Sequence, residues 1–94
     1  MGGETMKGWI LQVGGGLLQV PAVEAAHELG YHVAVTDRNL DCACAGLADH
    51  FVELDTFDIE GHLDFVAHWP YGFAAVFTAG ADPIVTVAKC AEAA

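Results

Sequence analysis

Trp9-Ile10-Leu11-Gln12-Val13-Gly14-Gly15-Gly16-Leu17-Leu18 is the stretch that decides the fold. An apolar strand that runs into three glycines and then into a helix is how α/β proteins bring backbone N–H groups against an anionic ligand. The sequence therefore predicts a binding site for a phosphate or carboxylate at this first strand-to-helix turn. Glycines after a strand also form simple tight turns, so this loop alone does not establish a function.

A second predicted strand, residues 32–36, ends at Asp37 and Arg38. Rossmann-like folds place a ligand-selecting acidic residue at this position, about twenty residues after the glycine turn, so a NAD(P)- or flavin-dinucleotide-binding module is one interpretation. The dinucleotide fingerprint G-x-G-x-x-G is broken, however, because Gln19 stands where the third glycine is required. Asp37 is equally interpretable as a turn cap or as the ion-pair partner of Arg38.

Strands and helices alternate along the rest of the chain. The pattern predicts a helix over residues 20–29 stopped by Gly30, a strand over 50–54, a helix capped within 55–58 and ending near 68, a strand over 73–78, and a helix beginning at Pro83. A single helical turn is expected within residues 43–48. Helical connections between all strands imply parallel pairing and right-handed crossovers. The predicted fold is a three-layer, Rossmann-like α/β domain whose four-stranded parallel sheet has the order 3-2-1-4, with helices on both faces.

The inward faces of the helices follow from their apolar spacing. Val23, Ala26 and Leu29 are expected to face the sheet from the first helix, and Ile59, Leu63 and Val66 from the second. Gly30 is expected to end the first helix in a left-handed conformation.

Ligands of open parallel sheets bind at the carboxyl ends of the strands, where the strand order reverses, here between strands one and four. The glycine loop follows strand one, and Thr78-Ala79-Gly80-Ala81-Asp82 follows strand four, so these loops should face each other across that gap. Asp82 is also expected to cap the helix that follows it. The candidate ligand-binding residues are Gly14, Gly15, Gly16, Leu17, Asp37, Arg38, Thr78, Gly80 and Asp82.

The charge of the chain excludes several classes of partner. Thirteen acidic residues against three basic ones give 94 residues a formal net charge of −10, which repels nucleic acids and anionic lipid surfaces. No apolar run approaches the length of about 20 residues that a membrane span needs, and no secretory signal is recognisable. We therefore expect a cytoplasmic protein with no nucleic-acid and no membrane partner.

No catalytic or metal-binding constellation is evident in the sequence. The chain contains no serine, so a Ser-His-Asp arrangement is ruled out, and the five histidines show no ligand spacing. Cys42 and Cys44 lack the second pair that a zinc site needs and, with Cys90, are interpreted as reduced thiols in or near the core. We expect no metal site and no catalytic residue in this chain.

Five segments in order resemble a known family of enzymes: ILQVGGGLLQVP (residues 10–21), ELGYHV (28–33), TDRN (36–39), ADH (48–50) and TAGAD (78–82). Together they resemble the N-terminal, pre-ATP-grasp domain of ATP-grasp ligases of the carbamoyl-phosphate synthase and biotin carboxylase superfamily. The resemblance covers residues 7–94, truncated at the C-terminal end before a further strand, and leaves residues 1–6 as a disordered lead-in.

The resemblance implies a Rossmann-like domain that precedes a nucleotide-binding region in an enzyme that activates a carboxylate as an acyl phosphate. It implies that the loop over residues 14–17, with Asp37, Arg38 and Asp82, holds a small anionic or carboxylate substrate rather than ATP. ATP and Mg²⁺ would be bound by downstream ATP-grasp domains, so the 94-residue chain is expected to bind no cofactor and to be inactive alone. An exposed edge of strand four is expected to favour homo-oligomers.

Overall fold

The computed structural model describes residues 8–78, so Gly80, Asp82 and the helix predicted from Pro83 lie outside the described residues. The described elements are, in order, β1 (Trp9–Val13), a 3-10 turn (Leu17–Gln19), α1 (Val20–Glu28), β2 (His32–Asp37), β3 (His50–Glu53), α2 (Ile59–His68) and β4 (Ala75–Phe77).

The four strands form one parallel sheet in the order β3-β2-β1-β4, which confirms the predicted topology. In this register Leu11 of β1 lies between Ala34 of β2 and Val76 of β4. β1 is central because its apolar residues are buried on both faces of the sheet. β4 is shorter than predicted, since the buried Phe73 precedes the first residue that pairs as a strand.

Alternate residues of the strands pack against different helices, which establishes three layers. On one face Ile10, Val33 and Val35 form a core with residues of α1, and on the other Leu11, Val13 and Ala34 form a core with residues of α2. The predicted fold class is therefore confirmed within residues 8–78. No helix in this part of the chain is both long enough and apolar enough to cross a membrane.

The inward face of α1 is shorter than predicted. Val23 and Ala26 are buried as expected, but the prediction that Leu29 faces the sheet is wrong, because that side chain is 60% exposed. Leu29 is the C-cap of α1, and Gly30 (φ +95°) then turns the chain towards β2 before Leu29 can reach the core.

The helix α2 begins where the cap chemistry predicts it. The Asp58 carboxylate accepts a hydrogen bond from the Gly61 backbone N–H at 2.9 Å, which satisfies a free donor of the first turn. Val66 is buried and Leu63 partly buried, as predicted, but the fully buried His62 was not expected. The turn predicted within residues 43–48 is a single hydrogen-bonded turn, in which the Ala48 N–H donates to the Cys44 carbonyl at 3.0 Å.

Candidate functional site

The carboxyl edge of the sheet brings together candidate residues from three strands. Gln12 pairs with Phe77, so the ends of β1 and β4 lie side by side, and Gly14 and Thr78 follow them at the same edge. The strand order reverses between β1 and β4, where a ligand crevice is expected in sheets of this kind. Asp37 is the last residue of β2, which pairs with β1 on the side away from β4.

The three glycines of the loop differ in whether their surroundings and backbone conformation require glycine. Gly14 has a φ of +96°, and a Cβ there would lie 2.6 Å from Nε2 of Gln19. Gly15 has no room for a side chain, because a Cβ would lie 2.9 Å from both Sγ of Cys42 and Cγ1 of Val35. A Cβ on Gly16 would meet no atom of residues 8–78 within 4 Å. Of the three glycines, Gly16 is therefore the one with open space beside its Cα in this part of the chain.

The backbone N–H groups of this loop are only partly available to a ligand. The Gly14 N–H donates to the Thr36 carbonyl at 2.7 Å, and the Gly15 N–H donates to Oδ2 of Asp37 at 2.9 Å. Within residues 8–78, the N–H groups of Gly16, Leu17 and Leu18 have no protein acceptor. The N–H groups without a protein acceptor in this part of the chain thus lie in the second half of the loop, which begins a helical segment.

Asp37 acts here as a brace for two loops. Besides its bond from Gly15, its Oδ1 accepts the Asn39 N–H at 2.9 Å and so closes a turn after β2. Arg38 instead lies 3.8 Å from Oδ2 of Asp55, with its side chain 80% exposed. The turn-cap interpretation of Asp37 is therefore correct, and the alternative pairing with Arg38 does not form.

The carbonyl groups of the loop are all held from inside the protein. Nε2 of Gln12 donates to the Gly14 carbonyl at 2.9 Å, and the Cys44 N–H donates to the Gly15 carbonyl at 2.9 Å. The Gly16 carbonyl accepts from the Cys44 thiol at 3.7 Å and from the Gln19 N–H at 2.9 Å. Gln12 and Cys44 are fully buried, as expected of the Cys44 thiol, but no sequence pattern predicts that either side chain holds the glycine loop.

The side chains around the loop lack the donor sets of a metal centre. No three histidine, cysteine or acidic side chains within residues 8–78 are placed to hold a metal ion. No enclosed pocket forms in the same part of the chain, and Leu17 and Leu18 are largely exposed beside the loop. Within residues 8–78, this edge has no enclosed pocket, and the polar groups without a protein partner in the glycine loop are backbone N–H donors.

The fold and the loop define a Rossmann-like α/β domain with a glycine-rich turn after its central strand. No protein-family model and no curated protein matches the sequence. Among solved structures, the domain is similar to phosphoribosylglycinamide synthetase from Anaerococcus prevotii, with 26% identity and a TM-score of 0.78 over 90% of this chain and 22% of that chain. It is also similar to an ADP complex of N5-carboxyaminoimidazole ribonucleotide synthetase, with 25% identity and a TM-score of 0.66 over 81% of this chain and 19% of that one.

A third match, N5-carboxyaminoimidazole synthetase from Staphylococcus aureus, has 23% identity and a TM-score of 0.66 over 79% of this chain and 19% of that one, and shows the fold alone. The chain thus spans about a fifth of the length of the solved structures it matches. The two likenesses at 26% and 25% identity support a relationship to the ATP-grasp ligase superfamily. They do not favour the dinucleotide-binding alternative.

Proposed function

We propose that this chain is the substrate-binding N-terminal domain of an ATP-dependent carboxylate ligase. The second half of the glycine loop would bind an anionic group of the substrate, through the N–H groups of Gly16, Leu17 and Leu18, which have no acceptor within residues 8–78. One observation carries this proposal: the N–H groups of Gly14 and Gly15 are hydrogen-bonded within the protein, whereas the next three N–H groups of the loop have no acceptor within residues 8–78. The likeness to phosphoribosylglycinamide synthetase supports it independently.

A phosphate ester is the anion that this proposal favours. One similar enzyme is named for a phosphoribosyl compound and another for a ribonucleotide, and both of these compounds carry a sugar phosphate. Consecutive backbone N–H groups at the start of a helical segment are suited to phosphate, because each donor points at the anion and the peptide dipoles add to the attraction. Ribose 5-phosphate is therefore the natural probe.

The proposed chemistry of the whole enzyme needs ATP and Mg²⁺, and the residues described here do not fit either group. The acidic side chains at the carboxyl edge are already committed: Asp37 braces two loops, and Asp58 caps α2. We therefore assign nucleotide, metal and acyl-phosphate formation to downstream ATP-grasp domains, which are the proposed partners of this domain. The residues of the loop would bind and orient the substrate beside them.

The proposal is tested by following backbone amide signals of the 94-residue chain during a titration. Ribose 5-phosphate and inorganic phosphate should shift the signals of Gly16, Leu17 and Leu18 more than those of the hydrogen-bonded Gly14 and Gly15. Acetate reports whether a carboxylate suffices, and NAD⁺ tests the dinucleotide alternative. Saturable shifts with NAD⁺ alone would overturn the proposal, and so would the absence of any saturable shift.

A matched pair of variants makes the test specific to this loop. Gly16→Ala adds a methyl group at the expected ligand surface, and Gly46→Ala adds one at an exposed position of the turn after β2, where no described atom lies within 4 Å. Neither glycine has a positive φ, so both variants should fold. The proposal expects weaker phosphate binding for Gly16→Ala only. Equal binding by both variants would contradict contact between ligand and Gly16.

The purified 94-residue chain should release no phosphate from ATP. The residues that bind ATP and metal are assigned to other domains, so the isolated domain would bind substrate without turnover. Measurement of inorganic phosphate after prolonged incubation with ATP and Mg²⁺ checks this expectation, and a steady release that depends on protein concentration would refute it.

A further inference from the structure

We infer that Gln12 and Cys44 are positioning residues of the proposed anion site, which hold the glycine loop in the conformation that presents its N–H groups outward. The inference rests on the proposed function for its ligand. Its structural basis is independent of the comparisons, because it follows from hydrogen bonds between buried side chains and the loop.

The carbonyl groups that the protein holds determine the orientation of the peptide planes in the glycine loop. A carbonyl that is fixed inward forces the N–H of the next residue to point to the other side of the same peptide plane. Gln12 fixes the Gly14 carbonyl and the Cys44 backbone fixes the Gly15 carbonyl. The Gly15 N–H is directed to Asp37, and the Gly16 N–H points to the side of its peptide plane opposite the carbonyl that Cys44 holds.

Gln12 and Cys44 act as one unit. Nε2 of Gln12 donates to the Gly14 carbonyl and also approaches Sγ of Cys44 at 3.8 Å. The Cys44 thiol in turn lies 3.7 Å from the Gly16 carbonyl, on which its hydrogen can be donated. A single buried network thus reaches the first and the last glycine of the loop.

Gln12 is a polar residue in an otherwise apolar strand of the core. The side chain is wholly buried on the central strand, and its Oε1 has no hydrogen-bond donor within residues 8–78. Burying an unsatisfied amide oxygen is unfavourable, and an apolar residue of similar length would avoid that loss. Retaining a glutamine is consistent with a task beyond packing, and the bond from its Nε2 to the Gly14 carbonyl supplies one.

Three variants separate positioning from packing. Gln12→Met keeps the length of the side chain but removes the donor, and Cys44→Ala removes the thiol while the backbone N–H to Gly15 remains. Cys44→Ser restores a hydroxyl that can donate to the Gly16 carbonyl. Val66→Ala is the matched control, because it truncates a buried residue on the opposite face of the sheet.

Two readouts are measured on the 94-residue chain: the apparent Kd for ribose 5-phosphate under conditions where each variant is fully folded, and the hydrogen-exchange rates of the Gly14, Gly15 and Cys44 amides. Gln12→Met and Cys44→Ala should each weaken binding by about three- to tenfold, the loss that corresponds to one hydrogen bond. They should also speed exchange at these amides beyond the change in global stability. Cys44→Ser should recover part of both effects, and Val66→Ala should show neither.

Each result bears on the inference separately from the proposed function. If Gln12→Met and Cys44→Ala accelerate exchange only as much as Val66→Ala does, Gln12 and Cys44 merely fill space and the inference is overturned. If the wild-type chain binds no phosphate while the two variants loosen the loop selectively, the bracing is supported and the ligand assignment fails. Binding by the two variants equal to wild type, with a selectively loosened loop, would overturn the link between loop order and affinity.

Discussion

Oδ2 of Asp37 accepts the backbone N–H of Gly15 at 2.9 Å, so the end of β2 is tied to the loop that follows β1. The acidic residue that sequence position marks as a ligand contact is thus engaged with the protein itself. Its second oxygen holds the Asn39 N–H, which leaves the carboxylate bridging two loops. This arrangement makes Asp37 a structural determinant of the glycine loop.

Replacing Asp37 with alanine should destabilise the domain. The change removes the acceptors of two backbone N–H groups, each worth about 1 kcal/mol, and we expect a loss of about 1 to 2 kcal/mol because the site is partly exposed. Urea denaturation measures the free energy of unfolding. Asp37→Asn is the matched control, since it keeps one acceptor oxygen and should lose less. An alanine variant as stable as wild type would show that the bridge contributes nothing.

The three glycines of the loop should respond to alanine in a fixed order. Gly15→Ala should be the most damaging of the three changes, because the new Cβ would lie 2.9 Å from Val35 and from the Cys42 sulfur. Gly14→Ala should also destabilise, since φ is +96° there, by at least about 1 kcal/mol. Gly16→Ala should change stability by less than about 0.5 kcal/mol. Thermal denaturation of the three variants gives the ranking, and a Gly16 variant less stable than the Gly15 variant would contradict the packing.

The sequence was sufficient to predict the fold because the relevant signals are local. β1 is apolar except for Gln12, which indicates a buried strand, and helical connections dictate parallel pairing, so the order 3-2-1-4 could be predicted from the sequence. The cap of α2 could be predicted for the same reason, because Asp58 and the Gly61 N–H that it accepts are only three residues apart. The burial of Leu29 was predicted wrongly because the apolar spacing of the helix includes it. In the structure α1 ends at Glu28 and Leu29 is its C-cap, so this side chain does not pack against the sheet.

The candidate site could be predicted only in outline. Sequence position brought Gly14 and Thr78 to one edge, but it could not distinguish the constrained Gly15 from the open Gly16, since that difference is made by packing against Cys42 and Val35. The role of Cys44 depends on a contact across 28 residues of chain and on the path of the loop after β2. The one feature of the sequence that could have indicated a side chain holding the loop is the polar Gln12 within an otherwise apolar strand.

The buried His62 should make folding stability depend on pH. Burial lowers the pKa of His62, and the hydrogen bond to the Asp58 carbonyl and the charges of Asp58 and Asp55 only partly oppose that effect. Its Nδ1 lies 2.8 Å from the Asp58 carbonyl, which can only accept, so Nδ1 carries the proton and Nε2 accepts from the Thr36 hydroxyl. The neutral imidazole is therefore the form that fits the fold.

The sign of the effect follows from linkage. Below the unfolded-state pKa of about 6.5 the unfolded chain binds a proton that the folded chain resists, so stability falls as the pH decreases, by up to about 1.4 kcal/mol per pH unit. The double variant Thr36→Val/His62→Leu replaces the polar pair with apolar side chains and should lose this contribution. Urea denaturation between pH 7.5 and 5.5 compares the two slopes. Equal slopes would show that His62 titrates normally.

The thiols of Cys42 and Cys44 should react slowly with alkylating reagents. Burial raises the pKa of both thiols, and the negative charge of Asp37 raises that of Cys42 further, so little thiolate is present near neutral pH. Site-resolved mass spectrometry after iodoacetamide treatment should show slower labelling at both positions than at the cysteine of an unstructured peptide. Asp37→Asn should speed the reaction at Cys42. Labelling of Cys44 as fast as that of the peptide would mean that the turn around it opens readily.

Self-association through the edge of β4 is the last expectation. Within residues 8–78, β4 pairs with β1 alone, and its first residue, Ala75, is exposed, so this strand presents an edge to which another chain can add. Sedimentation velocity at increasing protein concentration should show a species larger than the monomer. Ala75→Lys should weaken the association, because a charge on an edge strand disfavours pairing with a second edge. Ala67→Lys adds the same charge at an exposed position of α2 and should leave association unchanged. Equal weakening by both substitutions would point to general charge repulsion instead of strand pairing, and a monomer at every concentration would exclude the edge as a contact between copies.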